Sequence, residues 1–372
     1  MNLLVLDQYS DLGGAQQNLL ELLPAIRNAA WSAHVGLPGD GPLFTRIAAL
    51  GFATSRISCG PYTSGSKSGA DMLRFLATTP RLAWQIRRLA NRSNVQAVYL
   101  NGPRLLPAAA LADLGLPVLF HAHSYLGPGA TRTLAGTALR RMDASVAGQC
   151  KFVAAPWRQF LPNGRVTVIY NGVAGPGHLA PRSPAGPPRI GCIGRISPEK
   201  GQLAFVAAAA RIHQALPQCH FTVYGTPIFK DRAAEAYNAQ VRAAAVGLPI
   251  DFAGWVDDIY ACLAQLDLLL VPSAGHEATT RVILEAFAAG VPVIAFPSGG
   301  IPEVVDHDVD GLLAAGVEDM AHRAVELLTG DARRLIAMAH TARQTWLRRF
   351  RPEHSHRQLL DTLQAMVPPA AV

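Results

Sequence analysis

Residues Gly275–Val304, GHEATTRVILEAFAAGVPVIAFPSGGIPEV, place two carboxylates on either side of a predicted helix start. Glu277 precedes this start and Glu285 follows it. Threonine is a favourable N-cap residue, and the apolar run Val282–Ala289 after the Thr279–Thr280 pair predicts a helix. The stretch therefore combines acidic side chains with the N-terminus of a helix.

A second turn of the same kind follows. Gly290 is typical of the residue that ends a helix, and Val291–Phe296 predicts a short buried strand. Ser298–Glu303 then predicts another turn that leads into a helix start. Helix N-termini carry unpaired N–H groups and partial positive charge, which suit phosphate. We expect the chemistry of the protein in this stretch.

Length and composition bound the class of protein. A chain of 372 residues suggests two domains, and 50% hydrophobic with 16% charged residues excludes extensive disorder. We expect no membrane-spanning run and no signal peptide, hence a cytoplasmic protein. Its five cysteines are scattered without a C-x-x-C motif, which favours a reducing compartment and argues against a disulfide framework or a zinc site.

The charge is uneven along the chain. Residues 1–175 carry 16 basic and 7 acidic residues, whereas residues 176–372 carry 17 and 19. No nucleic-acid motif accompanies the basic half. A predicted helix over Thr79–Asn91 is rich in arginine and contains Trp84. It predicts either a helix on an anionic membrane surface or a solvated helix of the α/β layer.

The first half repeats strand, turn and helix, which is typical of a doubly wound sheet. The strand Asn2–Leu6 leads to Gly13 and Gly14, which either approach a ligand or form a plain tight turn. Two further predicted strands end at Asn101 and at the pair His121 and His123, where ligand contacts are expected. No third metal ligand is evident, so we expect one histidine to face the ligand and the other to pack.

A Gly/Pro-rich linker separates two α/β halves. We expect an N-terminal domain over residues 1–174, a linker over 175–188, a C-terminal domain over 189–342, and C-terminal helices over 343–372. The second half begins with a strand that ends in Gly194–Gly201. This loop holds Arg195 and Lys200 before a helix start and is a phosphate candidate. The alternative is a surface turn with solvated cations.

These segments together resemble the GT-B-fold glycosyltransferases, and in particular the retaining enzymes of family 4. The resemblance spans nearly the whole chain, in the family order, through Gly13–Gln16, Asn171–Val173, Gly194-Arg195 with Lys200-Gly201, Phe252–Gly254, Pro272-Ser273, Glu277-x7-Glu285 and Ser298–Glu303. It implies an α/β protein of GT-B architecture, with two Rossmann-like doubly wound domains that face a central cleft and with the C-terminal helices over 343–372 crossing back to the first domain. The donor would be a UDP-sugar or GDP-sugar, bound mainly by the second domain without a cofactor or metal.

The resemblance also implies residue roles. Arg195 and Lys200 would hold the diphosphate, Glu277 the transferred sugar and Glu285 the ribose. His123 would lie beside the sugar and the attacking oxygen, with His121 as second choice and Asn101 also on the acceptor side. The remaining donor contacts would come from Gly13, Gly14, Gly194, Gly225, Val256, Thr279, Thr280, Arg281, Val282, Gly299 and Gly300.

One segment departs from the family pattern. Ala278-Thr279-Thr280 stands where the family has Pro/Gly-Phe-Gly after the first glutamate. The threonines keep a helix start and add hydroxyl donors, and the change bears on which sugar is held.

We expect a metal-independent retaining transfer in which the leaving phosphate helps to deprotonate the acceptor. A glycosidase pair is rejected for Glu277 and Glu285 because a hydrolase would not need the phosphate-binding cations. A nucleotide-sugar epimerase and a donor-binding protein without transfer activity remain alternatives. The expected acceptor is a glycan or lipid-linked molecule of cell-envelope or exopolysaccharide synthesis. It would be met at the inner face of an anionic membrane, and no nucleic acid is expected as a partner.

Overall fold

The computed structural model describes residues 1–59, 69–179, 186–227 and 232–367. Contacts divide the chain into two compact units. The first unit comprises Met1–Asn171 and the residues from Pro352 onward, and the second comprises Gly172–Arg351. Strands and helices alternate in each unit around one parallel sheet, so both units are α/β and Rossmann-like, as the sequence predicts.

The first sheet has seven strands in the order β3-β2-β1-β4-β5-β6-β7. They are β1 (Asn2–Asp7), β2 (Ser32–Leu37), β3 (Ala53–Arg56), β4 (Ala97–Asn101), β5 (Val118–Ala122), β6 (Ser145–Gly148) and β7 (Val166–Val168). The order reverses between β1 and β4, the point at which doubly wound sheets bind ligands. The polar residues Asp7 and Asn101 end these two strands and are register partners.

The helices of the first unit begin with α1 (Gly14–Asn28), α2 (Pro42–Ala49), α3 (Gly69–Arg92), α4 (Leu106–Ala112), α5 (Ala130–Arg141) and α6 (Lys151–Ala154). Helix α3 begins earlier than the predicted Thr79 because Pro80 lies inside it and does not end it. The Thr79 hydroxyl donates to the carbonyl of Phe75 at 2.8 Å, one turn before the proline. A proline removes one backbone N–H donor from a helix, and hydroxyl groups such as that of Thr79 donate hydrogen bonds to carbonyl groups in the preceding turn.

The second sheet has six strands in the order β10-β9-β8-β11-β12-β13. They are β8 (Arg189–Ile193), β9 (His220–Tyr224), β10 (Ile250–Gly254), β11 (Leu268–Val271), β12 (Val293–Ala295) and β13 (Leu312–Leu313). The helices are α7 (Gln202–Ala215), α8 (Arg232–Ala244), α9 (Ile259–Leu263), α10 (Arg281–Ala289), α11 (Val317–Thr329) and α12 (Ala332–Thr345). Strands β11 and β12 are entirely buried, which explains their continuous apolar sequences.

The last helix, α13 (Pro352–Met366), belongs to the first unit, where Leu359 and Leu363 enter the core beside α1. The residues before it stay with the second unit, since the Trp346 indole donates to the Val173 carbonyl at 2.9 Å. The contact-based change of unit therefore falls at Pro352. Proline excludes the preceding residue from helical geometry, and Arg351 is extended. Residues 180–185 of the expected linker lie outside the described residues.

Candidate active site

The stretch Gly275–Val304 lies at the carboxyl end of β11 and carries α10. Thr280 is the N-cap residue of α10, and Gly290 ends the helix with a left-handed φ of +64°. The predicted helix and its end are therefore confirmed. The Thr280 hydroxyl does not cap the backbone, however. It donates to Oε2 of Glu277 at 3.2 Å and so orients that carboxylate.

The second helix start predicted in this stretch is wrong. Only a single 3₁₀ turn, Ile301–Glu303, follows Gly300. The glycines before it serve another purpose, since the Gly300 N–H donates to the Glu277 carbonyl at 2.9 Å. Gly299 has φ +56°, and a Cβ there would lie 1.9 Å from the same carbonyl oxygen. Gly299 and Gly300 thus pack directly against the main chain of Glu277, an approach that a side chain at Gly299 would prevent.

The phosphate-candidate loop follows β8 and precedes α7. It contains the 3₁₀ turn Pro198–Lys200 and Gly201, whose φ is +73°. Gln202 is fully buried, donates to the Arg195 carbonyl at 2.9 Å and accepts from the Ser197 N–H at 3.2 Å. Gln202 therefore holds the loop in shape. Sequence reasoning missed Gln202. The available signal was a polar residue at the first position of a helix whose first half is otherwise apolar.

Lys200 and Glu277 meet although they are far apart in sequence. The Lys200 Nζ lies 2.7 Å from Oε1 of Glu277, and the two side chains are 25% and 14% exposed. Arg195 lies on the same loop and reaches Oε2 of Glu199 at 3.9 Å. Partial burial strengthens the attraction between two opposite charges relative to a fully solvated pair. The structure therefore joins the predicted cation loop to the predicted sugar carboxylate.

The first turn of α10 holds a second ion pair. Arg281 Nε donates to Oε1 of Glu285 at 2.8 Å. Val282 is buried beside them, and the buried Thr279 hydroxyl has no hydrogen-bond partner among the described residues. The predicted donor residues around 279–285 thus surround one helix N-terminus, which is a favourable place for an anion.

The predicted donor contacts Gly225 and Val256 lie after neighbouring strands. The Gly225 N–H after β9 donates to the carbonyl of Gly254 in β10 at 2.7 Å. Gly225 has φ +142°, and a Cβ there would lie 2.0 Å from the Gly194 carbonyl oxygen. Val256 follows β10 and is partly buried. Gly194, Gly225 and Gly254 are therefore joined through close backbone contacts.

The other predicted residues belong to the first unit. Gly13 is the N-cap residue of α1, and a Cβ at Gly14 would meet no atom within 4 Å. The rings of His121 and His123 lie 3.9 Å apart. Burial, together with the neighbouring His123, lowers the pKa of His121 well below its usual value. Burial lowers the pKa of His123 to about 4. Both imidazoles are therefore neutral at pH 7.

Asp7 is a further polar residue at this edge, and sequence reasoning did not select it. Its side chain is fully buried at the end of β1, and burial raises its pKa to about 7. No local sequence pattern distinguishes Asp7, because its burial depends on residues of β4 and α1 that are distant in sequence.

Across the described ranges, no group of three or more His, Cys, Asp or Glu side chains could hold a metal ion. Metal independence of any reaction stays a prediction. Of the helices that the structure describes, none combines the length and the apolar character needed to cross a membrane.

Comparison with protein families identifies the two halves. A glycosyl transferase 4-like domain matches residues 13–172, and a glycosyl transferases group 1 domain matches residues 187–330. The chain therefore consists of two glycosyltransferase domains. It has the GT-B fold and resembles family 4, as the sequence motifs predict.

Curated members of the family match about half of the chain. A GDP-mannose-dependent alpha-(1-6)-phosphatidylinositol monomannoside mannosyltransferase of Mycobacterium tuberculosis is 32% identical over 187 residues, which cover 48% of this chain and 47% of that protein. A 2-deoxystreptamine N-acetyl-D-glucosaminyltransferase of Streptomyces fradiae is 35% identical over 134 residues, covering 35% of this chain and 31% of that protein. The chain thus spans about half or less of the length of these relatives.

The fold extends over the whole chain in solved structures. Anabaena Alr3699/HepE, crystallised with UDP-glucose, superposes with a TM-score of 0.83 at 24% identity and covers 98% of this chain and 100% of that one. Sucrose-phosphate synthase of Thermosynechococcus elongatus superposes with a TM-score of 0.78 at 18% identity, covering 98% and 99%. At these identities the likeness shows the fold alone.

Proposed function

We propose that the protein transfers a sugar from a nucleoside-diphosphate sugar to a glycan or lipid-linked acceptor, with retention and without a metal ion. The observation that carries the proposal is the contact of Lys200 with Glu277 beside the N-terminus of α10. The names of the family members support a sugar nucleotide as donor, since one uses GDP-mannose and the HepE crystals contain UDP-glucose.

The cations of the second unit suit a departing diphosphate. Arg195 offers a planar set of donors and Lys200 a compact charge, and both lie on a loop held by Gln202. The first N–H groups of α10 add partial positive charge. Such preorganised groups stabilise charge that develops on the leaving group, and they do so without reorganising during the reaction.

The carboxylates recognise the donor in this proposal. Glu277 contacts the transferred sugar and Glu285 the ribose, while His123 lies near the attacking oxygen. Glu277 is bonded to Lys200 and Glu285 to Arg281, whereas a glycosidase pair needs one protonated carboxyl group. Because the pKa of His123 is about 4, its imidazole is a weak base at pH 7, and in this proposal the leaving phosphate helps to remove the acceptor proton.

Product analysis separates the three candidate functions. The full chain is incubated with UDP-sugars and GDP-sugars, first alone and then with a panel of glycan and polyprenyl-phosphate-linked acceptors. Transfer predicts a glycoside of retained anomeric configuration, with no epimer in the absence of acceptor. An epimer formed from donor alone would support an epimerase. Nucleotide binding with no product across the panel would support a donor-binding protein.

We also propose that α3 docks the enzyme on an anionic membrane from the cytoplasmic side. Leu73, Leu76 and Trp84 on this helix are 70%, 49% and 59% exposed. Their spacing places them on one helical face. Between Leu73 and Arg92, every charged residue is an arginine, and the Arg88 guanidinium lies 5.1 Å from the Trp84 ring. An exposed apolar stripe flanked by cations alone matches an anionic lipid surface.

Vesicle sedimentation tests the docking surface. Trp84→Ser should reduce binding to phosphatidylglycerol vesicles several-fold at low salt, and high salt should reduce binding of the wild-type chain. Trp255→Ser is the matched control, because Trp255 is 55% exposed in the second unit. Equal losses in both variants, or no binding of the wild-type chain, would refute the proposal.

A further inference from the structure

The main chain of His123 is held from the end of the neighbouring strand β6. Strands β5 and β6 pair as far as Ala122 and Gly148, so His123 lies one residue beyond their last register pair. The first residue after β6 is Gln149. Its main-chain N–H donates to the Ala122 carbonyl at 3.1 Å, and its side-chain Nε2 donates to the His123 carbonyl at 2.7 Å. Gln149 therefore fixes two consecutive carbonyl groups at the point where β5 ends.

The Gln149 amide can take only one orientation in this arrangement. A main-chain carbonyl can only accept hydrogen bonds, so the NH₂ group of Gln149 must face His123. Its Oε1 then faces the other way, where it accepts from Nδ2 of Asn171. Gln149 is 5% exposed and Asn171 is 8% exposed. Burying an amide is costly unless its polar atoms are hydrogen-bonded, and here both the NH₂ group and the oxygen of Gln149 are bonded.

Asn171 holds Gln149 from the end of the next strand. It follows β7 and is the last residue of the first unit. Just before it, the Ile169 N–H donates to the Gly148 carbonyl at 2.9 Å, so the chain after β7 is bound to the end of β6 at two places. Asn171 also begins the motif Asn171–Val173, which the family resemblance includes without a role. Its hydrogen bond to Gln149 connects that motif to His123.

The same amide acts on the imidazole of His123. Burial lowers the pKa of His123 to about 4, and the hydrogen-bonding amide of Gln149 opposes part of this effect. The ring also lies against that of His121, with 3.9 Å between the two centroids. The position and the electrostatic environment of the His123 ring therefore depend on Gln149 as well as on the strand that precedes it.

We propose that Gln149 is a positioning residue for His123 and that Asn171 orients Gln149. The inference rests on the proposed function, in which His123 lies near the attacking oxygen. A reacting group has to be held within about 0.5 Å of its productive position, and a buried, hydrogen-bonded side chain behind it provides this precision. An apolar side chain could not replace Gln149, because the position needs a donor toward His123 and an acceptor toward Asn171.

Steady-state kinetics of the full chain test the proposal. Gln149→Met keeps the length of the side chain and removes both of its hydrogen bonds. It should lower kcat about tenfold, the effect of one hydrogen bond lost in the transition state. The KM for the donor should stay within about twofold, because the second unit binds the donor in the proposed function. An unchanged kcat would overturn the proposal.

Gln159→Met is the matched control for this variant. The Gln159 side chain also donates to a main-chain carbonyl, that of Pro156 at 2.9 Å, but Gln159 is exposed. Its replacement should leave kcat unchanged. An equal loss of kcat in Gln149→Met and Gln159→Met would contradict a specific role of Gln149.

A double-mutant cycle separates positioning from a general structural role. His123→Ala has no imidazole left to position, so the addition of Gln149→Met should lower kcat by no more than about twofold further. A second tenfold loss in the double variant would mean that Gln149 supports the fold in general, and it would overturn the proposal. Thermal melting of each variant shows whether it is folded.

Asn171 offers variants that leave Gln149 in place. Asn171→Asp puts a carboxylate opposite Oε1 of Gln149. An ionised carboxylate can only accept, so Gln149 must turn its NH₂ group away from His123. Asn171→Ala removes one hydrogen bond but leaves that NH₂ group facing His123. Asn171→Asp should therefore lower kcat more than Asn171→Ala does, and equal losses would contradict the proposed orientation of Gln149.

Histidine NMR separates this inference from the proposed function. In chains with isotope-labelled histidine rings, Gln149→Met should shift the ring signals of His123 at pH 7 and leave those of the exposed His220 unchanged. His123→Ala identifies the His123 signals by their loss. Unchanged His123 signals in Gln149→Met would overturn the inference whether or not the chain transfers a sugar. If those signals shift but the wild-type chain forms no glycoside, the proposed function fails while the contact of Gln149 with His123 stands.

Discussion

At the carboxyl edge of the first sheet, Asp7, Asn101 and His121 are nearly fully buried. At the carboxyl edge of the second sheet, Lys200 and Glu277 are charged and only partly buried. Asp7 is 0% exposed, while the Lys200 and Glu277 side chains are 25% and 14% exposed. The two sheets share the strand order 3-2-1-4-5-6. The same topology thus presents neutral groups in one unit and ion pairs in the other.

This difference has a physical basis. A diphosphate requires cations that keep some contact with solvent, because fully buried charges are costly unless paired. Hydroxyl groups require directional, uncharged partners, which gain strength from burial. This difference supports the proposed function, in which the second edge takes the donor and the first edge takes the acceptor.

The largest effect should come from the cations of the second edge. Lys200→Ala and Arg195→Ala are each expected to lower the rate of sugar transfer about 10²–10³-fold, since each removes a charge from the departing diphosphate. Steady-state rates of product formation measure this effect. Arg211→Ala is the control, because Arg211 pairs with Glu318 at an exposed position in the same unit. Near-wild-type rates in both site variants would contradict the assignment.

The next largest effect should be on stability, at the glycine that joins the phosphate loop to β11. A Cβ at Gly201 would lie 2.0 Å from the Pro272 carbonyl oxygen, and its φ is +73°. Gly247 has φ +82° but no atom within 4 Å of such a Cβ. Gly247→Ala should cost about 1–2 kcal/mol from backbone strain alone. Gly201→Ala should lower the unfolding free energy further, and equal melting shifts would refute the close contact.

His123, whose ring nitrogens are buried at the first edge, should make stability depend on pH. The pKa of His123 is about 4 in the folded chain and about 6.5 when unfolded, so the unfolded state takes up the proton first. Stability is lost as pH falls through this window, by about 2 kcal/mol between pH 7 and pH 5. His123→Gln should remove this loss in urea titrations. The exposed His220→Gln should not, and an unchanged slope in His123→Gln would count against a buried neutral imidazole.

Asp7 should act with the opposite sign. Its pKa is about 7 in the folded chain and about 3.8 when unfolded, so the folded state holds the proton between these values. Stability from this group is present at pH 4 and is lost by about 2 kcal/mol between pH 5 and pH 7. Asp7→Asn should therefore steepen the rise of stability with pH. Asp11→Asn, an exposed control, should leave the profile unchanged. A flatter profile in Asp7→Asn would be inconsistent with a buried carboxyl group.

Much of the second edge follows from local sequence. The end of α10 follows from the preference for glycine in a left-handed cap, here Gly290, and its start precedes the apolar run from Val282. The Gly194–Gly201 loop follows from glycines and cations after a strand. The expected roles of Arg195, Lys200, Glu277 and Glu285 came from the resemblance to the family. The predicted helix after Gly300 is only a 3₁₀ turn, because the glycines there pack against the Glu277 main chain.

The first edge was harder to predict because it depends on contacts between distant residues. Asp7 is ordinary in sequence, and only the pairing of β1 with β4 brings Asn101 against it. The burial of Gln202 likewise depends on the loop that it holds. Periodicity does not show which polar residues are enclosed, so such residues need the fold.

Binding of nucleoside diphosphates tests the central claim most directly. Calorimetric titration of UDP and GDP into the wild-type chain, Lys200→Ala and Arg211→Ala measures whether the second edge holds the diphosphate. We predict that at least one nucleotide binds the wild-type and Arg211→Ala chains with the same affinity and binds Lys200→Ala at least tenfold more weakly. Equal affinity in Lys200→Ala, or no binding of either nucleotide to the wild-type chain, would contradict the account.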